Sequence, residues 1–245
     1  MFQWIRLGTA VPEISLGNPS KNAEAVCNKI QEAKDVSLLV FPQLCITGNT
    51  CGDLFFQSAL QTDSQNAIKK IAEQTKKSNC VAVVCAPLCI NQQLYNCAFV
   101  LHNGMIAGIV PKTYLSHEES RWFRSARELK ESFLEPNQFG FNQKQPIPVG
   151  NDLVFDCQSF RFGIELGEDA FSPVSPAVSL ALNGADIIVN PCATLSVVGA
   201  SYHAPQKSAQ LLCAYAQTST GTGESTTDYV LSGSSMISEL GNPLT

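Results

Sequence analysis

Charged side chains make up only 15% of this 245-residue sequence, and the formal net charge is −5. Without a basic surplus or a basic stripe, nucleic acid and anionic membrane are not expected partners. Long apolar runs are missing too. Residues 81–88 form one of the longest, far too short to cross a bilayer. The opening residues, MFQWIRLGTAVPE, lack a basic stretch followed by an apolar one, so no secretory signal is visible. Histidine is scarce: His102, His117 and His203 stand far apart, and no metal site is expected from them. No C-x-x-C occurs, which excludes zinc-knuckle and thioredoxin-like spacings. With no internal repeat and no linker marked by a shift in composition, the expected organisation is one domain over residues 1–245.

What the sequence does have is apolar material, 44% of its residues, enough for a large globular core. It also has ten cysteines, several inside apolar stretches such as CVAVVCAPLCI. A buried free thiol behaves as a small hydrophobe. Without an export signal, these read as reduced core residues of a cytoplasmic protein.

Along the chain, strand and helix signals alternate. Residues 5–11 and 36–41 are expected strands, with a helix from about 18 to 33 between them that places Ala23, Val26, Cys27 and Ile30 on one face. Residues 53–78 are helical by periodicity. Strands are expected at 80–86, 95–102 and 105–110, the last two joined by Asn103-Gly104, a strong type I′ hairpin signal. Residues 116–148 read mostly as loop. A strand pair at 152–156 and 160–166, a helix near 176–183, a strand at 186–190, a long helix at 205–218 and a hairpin at 228–231 and 234–238 complete the pattern. Buried strands with helices and two hairpins point to α/β architecture with mixed sheets, two of them face to face with helices outside.

Three strand ends carry the chemistry. They are FPQLCITGNTCGDLF from residue 41, GMIAGIVPKTYL from residue 104, and RFGIELGEDAF from residue 161. In each, an apolar strand runs into a turn with polar side chains, where α/β folds place their sites. Singly, each has a plain explanation: Gln43 as a turn residue, Lys112 as a solvated strand-end lysine, Glu168 and Asp169 as helix caps. In the third, a glycine occupies the turn where many enzymes carry a nucleophile.

Together the three resemble the nitrilase, or carbon–nitrogen hydrolase, superfamily, and within it the N-terminal glutaminase domain of glutamine-dependent NAD synthetases. That family has phrases like FPELCITGYTCGDLF, VVPKTYLP and FGVEICEDLW, and a tail like AAYVYASAGPGESTTDLVFDG, followed by an ENG turn. This chain has AYAQTSTGTGESTTDYVLSG from residue 214 and SELGNPL from residue 238. The resemblance spans nearly the whole chain. It implies a four-layer α-β-β-α sandwich of two mixed sheets. It also implies a thiolate attacking an amide, a glutamate as general base and then acid, and a lysine stabilising the oxyanion. Glutamine or another small amide is the implied ligand, packing into a homodimer or larger assembly the implied quaternary habit, and a separate NAD synthetase chain an implied partner.

The departures fall on the chemistry. Gln43 stands where the family has the glutamate, and Gly167 where it has the cysteine; only Lys112 matches. Glutamine cannot take up a proton at neutral pH, and glycine has nothing to attack with. Ala200, His203 and Ala204 replace family cations, Asn49 replaces a tyrosine, and the loop after Lys112 is shorter. Glu119 corresponds to an additional family glutamate, Glu168 to a residue that helps hold substrate, and Thr194 to a pocket serine. A catalytically silenced binding or assembly module is therefore expected. The alternatives are a relocated nucleophile, Cys192 before Cys45, and a truncated copy without function. No glycine- and serine-rich pyrophosphate loop is present, and GTGEST opens no helix. No cofactor, no synthetase domain and no ATP-dependent amidation are expected of this chain.

Overall fold

The central strands are apolar on both faces, so each sheet needs two coverings. The structure, a computed structural model, describes residues 4–141, 143–198, 203–224, 226 and 228–245. In chain order its elements are β1 (Leu7–Thr9), α1 (Pro19–Glu32), β2 (Leu38–Val40), α2 (Ser58–Thr75), β3 (Val81–Ile90), β4 (Gln93–His102) and β5 (Met105–Pro111). There follow β6 (Phe133–Leu134), β7 (Ile147–Pro148), β8 (Val154–Asp156), β9 (Arg161–Ile164), α3 (Pro176–Leu182) and β10 (Ile187–Cys192). Last come α4 (Ala204–Leu211), β11 (Ala214–Ser219), β12 (Ser235–Glu239) and β13 (Asn242–Pro243).

The first sheet has the order β1-β2-β3-β4-β5, parallel as far as β3 and antiparallel beyond it. The second has the order β13-β12-β11-β10-β9-β8, with β9, β10 and β11 parallel and both edges antiparallel. Neighbouring residues feed different layers. Leu38, Val40, Val83 and Cys85 meet Phe162, Ile164, Ile187 and Val189 between the sheets. Leu39, Phe41, Ala82 and Val84 face Val26, Ile30, Ile68 and Ile71 from α1 and α2. On the far side Ile188 and Tyr215 pack on Ala177, Leu180 and Ala204 of α3 and α4. The result is the expected α-β-β-α sandwich, each fully buried aliphatic side chain contributing about 1.5–3 kcal/mol.

Local signals explain the ends. Asn18 caps α1 by accepting from the Lys21 amide at 3.1 Å, with Pro19 in the first turn. Asn103 and Gly104 both take positive φ, as a type I′ turn requires. Several expectations need correction. The helix expected over 53–78 is a 3₁₀ turn at Gly52–Phe56, then extended Gln57, then α2. The helix expected over 205–218 stops at Leu211, where Leu212 turns left-handed, and Ala214–Ser219 is a central strand between β10 and β12. That short run, AYAQTS, settles neither period, and pairing on both sides decides it. Residues 228–231 form no strand, only an isolated bridge of Leu231 to Leu195; β12 pairs with β11 and β13 instead. No helix among the described residues is long and apolar enough to cross a membrane.

Candidate functional site

Gln43, Lys112 and Gly167 come from the ends of β2, β5 and β9, and the sandwich brings all three to one point. Gln43 and Lys112 are buried, the lysine completely. The Lys112 Nζ donates to both oxygens of Glu119 at 2.7 Å, to Gln43 Oε1 at 3.4 Å, and to Glu168 Oε2. Burial alone would push this amine down; the Glu119 and Glu168 carboxylates outweigh burial and hold it above the ordinary lysine value. Gln43 Nε2 donates to Glu119 Oε1 and to Asn49 Oδ1, each at 3.2 Å. A deprotonated glutamate at 43 could make neither bond. Gly167 has φ +51, and a Cβ built on it would lie 2.6 Å from Gln43 Oε1 and 3.0 Å from Lys112 Nζ. A side chain at 167 would therefore point into the junction of the other two groups.

Residues around the three hold the turns. Asp169 accepts from the Thr113 amide at 3.0 Å and from the Tyr114 amide, pinning the exit of β5 to the Gly167 turn. Burial pushes this carboxyl up to about 6 against the donors that favour its charge. The sign follows: a folded value above the ordinary 3.8 lends stability that is present in acid and lost as pH rises through about 6. The shift is worth on the order of 3 kcal/mol. Asp169→Asn should remove that slope, so urea midpoints of chain and variant compared from pH 4 to 7 should diverge. Parallel curves would refute it. Asn190 Nδ2 donates to the Gly167 carbonyl at 3.1 Å from the second sheet.

Glu224 was not singled out from sequence, although it sits in the quoted GTGESTTD stretch. It accepts from the Asn49 amide at 2.7 Å, the Thr50 amide at 3.1 Å and the Thr50 hydroxyl at 2.8 Å. It thereby locks the turn that carries Gln43, since Asn49 Nδ2 donates to the Gln43 carbonyl at 2.9 Å. Glu224→Ala should cost about 2–3 kcal/mol, read as a lower urea midpoint with faster amide exchange at Asn49 and Thr50; unchanged exchange would count against the clamp.

The loop after Lys112 is ordered by Asp53, which takes two bonds from Arg121 at 2.9 and 2.8 Å and one from Trp122 Nε1 at 2.9 Å. Phe123 packs on Phe55 with ring centroids 4.9 Å apart. Trp122, Phe123, Glu119, Glu168 and Tyr229 contribute to a cavity of about 680 Å³ over Gln43.

Thr194 and Cys192 lie apart from that cavity, in an adjoining recess of about 150 Å³ beside Gly167. The Cys192 Sγ meets Thr194 Oγ1 at 3.2 Å, the Thr218 carbonyl at 3.3 Å and Gln217 Nε2 at 3.6 Å, none of them a base. Burial pushes its thiol up, and pushes that of Cys45 to about 12. Neither has the features of an activated thiolate. All ten cysteines are unpaired. His203 precedes α4 and stacks edge-on against Phe171, and Ala204 is buried; Ala200 lies outside the described residues.

Two facing mixed sheets between helices, with polar groups gathered where β2, β5 and β9 end, define a scaffold of the nitrilase type. The chain belongs to the carbon–nitrogen hydrolase family, whose profile matches residues 11–241. It is 30% identical over 247 aligned positions to the glutamine-dependent NAD(+) synthetase of Mycobacterium leprae, covering 97% of this chain and 36% of that protein. The human glutamine-dependent NAD(+) synthetase is 27% identical over 69% of the chain. The chain thus spans about a third of the length of such curated relatives. Among solved structures, a glutamine-dependent NAD(+) synthetase from Cytophaga hutchinsonii superposes with a TM-score of 0.83 at 24% identity, over 98% of this chain and 40% of that one. A cysteine-to-alanine variant of the Nesterenkonia AN1 amidase from the nitrilase superfamily gives 0.79 at 15% identity, over 98% and 85%.

Proposed function

We propose that this protein is a catalytically silenced carbon–nitrogen hydrolase domain, derived from a glutamine amidohydrolase and retained for binding or assembly. One observation carries the reading. The position that points at Lys112 and Gln43 is a glycine, so the junction holds a cation and an amide but no nucleophile. The second support is Gln43 itself, an amide already bonded to Glu119 and Lys112 and unable to take a proton from an attacking group. The role left is to hold a small molecule in the cavity or to join a second copy or a separate synthetase chain. Ten unpaired thiols suit a reducing cytoplasm.

The test is ammonia release from glutamine and from butyramide by the purified chain. Release at the buffer rate is the expected result. Turnover abolished by Lys112→Ala would overturn the proposal.

A further inference from the structure

The dipeptide Asn-Gly occurs twice, at Asn103-Gly104 and at Asn183-Gly184, and both asparagines are exposed. Asparagine is among the thermally labile residues. Its side-chain carbonyl carbon lies within reach of the next backbone nitrogen, and a glycine there puts no Cβ in the way. Whether the two atoms meet depends on what holds that nitrogen, and here the two pairs differ.

At the tip of the β4–β5 hairpin the nitrogen is held from outside the turn. Gly104 N donates to Thr75 Oγ1 at 3.0 Å. Thr75 is fully buried at the end of α2, and its own hydroxyl donates to the Ala72 carbonyl at 2.7 Å, so its lone pair faces the glycine. The stem of Lys76 lies against Gly104 as well. Asn103 and Gly104 both keep positive φ between two long paired strands. Freeing this nitrogen means parting the hairpin from α2.

At the end of α3 the nitrogen is held only by its own helix. Gly184 N donates to the Ala181 carbonyl at 3.0 Å and Ala185 N to the Leu180 carbonyl at 3.1 Å, with Gly184 at φ +89, the paired bonds of a glycine-terminated helix. α3 has seven residues, and Leu182, Asn183 and Gly184 are exposed. The last turn of so short a helix opens at little cost. A guanidinium stands beside it: Arg161 Nη1 lies 3.2 Å from where a Cβ on Gly184 would be. A cation there favours the anionic centre formed when the nitrogen attacks.

We infer that Asn183 is a site of spontaneous modification by water, and that Thr75 guards Asn103 against the same reaction. Gly184 N loses its proton to hydroxide and bonds to Asn183 Cγ. The Cγ–Nδ2 bond breaks, and Nδ2 leaves as ammonia with a proton taken from water, so that a five-membered imide remains. Water then opens the imide at either carbonyl. The product is aspartate or isoaspartate, and one negative charge is added to the formal −5. Ammonia from this route stops at one equivalent per site and needs no added amide, which separates it from turnover. The inference is independent of the silenced reading.

Incubation of the whole chain in mildly alkaline buffer, beside a synthetic peptide spanning residues 178–188, tests it. Peptide mass spectrometry reads aspartate and isoaspartate at each Asn-Gly pair. Asn183 should convert within about tenfold of the peptide's rate, and Asn103 at least about tenfold more slowly than Asn183. Thr75→Val should speed Asn103 about tenfold, whereas Thr75→Ser, which keeps the hydroxyl, should leave it slow. Thermal melts confirm that each variant is folded. Asn183 remaining intact while the peptide converts would overturn the site. Asn103 converting as fast as Asn183 in the unaltered chain would overturn the guard. So would an Asn103 rate unmoved by folded Thr75→Val, or equal in the two folded Thr75 variants.

Discussion

A chain carrying Gln43→Glu together with Gly167→Cys should release ammonia from butyramide, where the unaltered chain should give only the buffer rate. The gain comes from restoring two groups that work as one. A thiol at 167 would grow from a Cβ position 3.0 Å from Lys112 Nζ, so the oxyanion formed by its attack would arise beside an ammonium. A carboxylate at 43 would face that thiol after a small shift of its own side chain, since a Cβ at 167 would come within 2.6 Å of the present Gln43 Oε1 position. Loss of a nucleophile in comparable triads costs on the order of 10⁶ in turnover, which bounds what the pair can return. Either substitution alone should stay near the buffer rate, because groups acting as a unit are not additive. Gly167→Cys alone should also lower stability by about 1–3 kcal/mol, since φ +51 strains any residue with a Cβ. Gln43→Glu alone brings a third carboxylate to Lys112 and removes the amide donor to Glu119, so one of the carboxyls there must bind its proton more tightly. Ammonia assays on the four chains, with mass spectrometry for an acyl adduct at 167, decide the matter. An inactive double variant that still folds would show that more than the two reacting groups has been lost.

Lys112→Met should be the most damaging single substitution for stability. The lysine side chain is wholly buried and Glu119 is only 16% exposed. Removing the ammonium leaves Glu119 without its counter-charge, a situation that typically costs about 3–5 kcal/mol (roughly one fifth or more of a domain's whole stability). Gln43 would keep its donor bond to Glu119, which offsets a small part. The Glu119→Gln change added to Lys112→Met should recover much of the loss, because the stranded charge is then gone. Urea denaturation of the chain, both single variants and the pair measures this coupling. A loss below about 1 kcal/mol for Lys112→Met would mean that solvent reaches the pair and that the cluster contributes little to the fold.

The layers and the three strand ends were legible because each is a local signal. Apolar runs ending in polar turns mark strands, and Asn103-Gly104 marks its hairpin without help from the rest of the chain. The convergence of Gln43, Lys112 and Gly167 was legible only through resemblance, since nothing in spacing brings residues 43, 112 and 167 together. Residues 214–219 misled because a short strand buried on both faces, here AYAQTS, has no period of its own; its pairing with β10 and β12 is decided by distant chain. The Glu224 clamp was missed for the opposite reason. Two of its partners, the amides of Asn49 and Thr50, are backbone groups, and sequence gives no sign of which amides lack a partner. The buried oxygen of Gln217, left without a donor, is likewise a property of packing and not of residue type.

In β2 the side chains on both faces are greasy: Leu38 and Val40 look inward, Leu39 and Phe41 outward. Sliding this strand by one step would trade one aliphatic group for another and expose nothing wet. Hydrophobicity therefore cannot hold the strand in its place. The slip would, however, carry Gln43 away from Lys112 and Asn49 away from Glu224, breaking the polar stitches that tie the end of β2 to its neighbours. The polar cluster around Gln43 thus acts as the ruler against which its own scaffold is aligned.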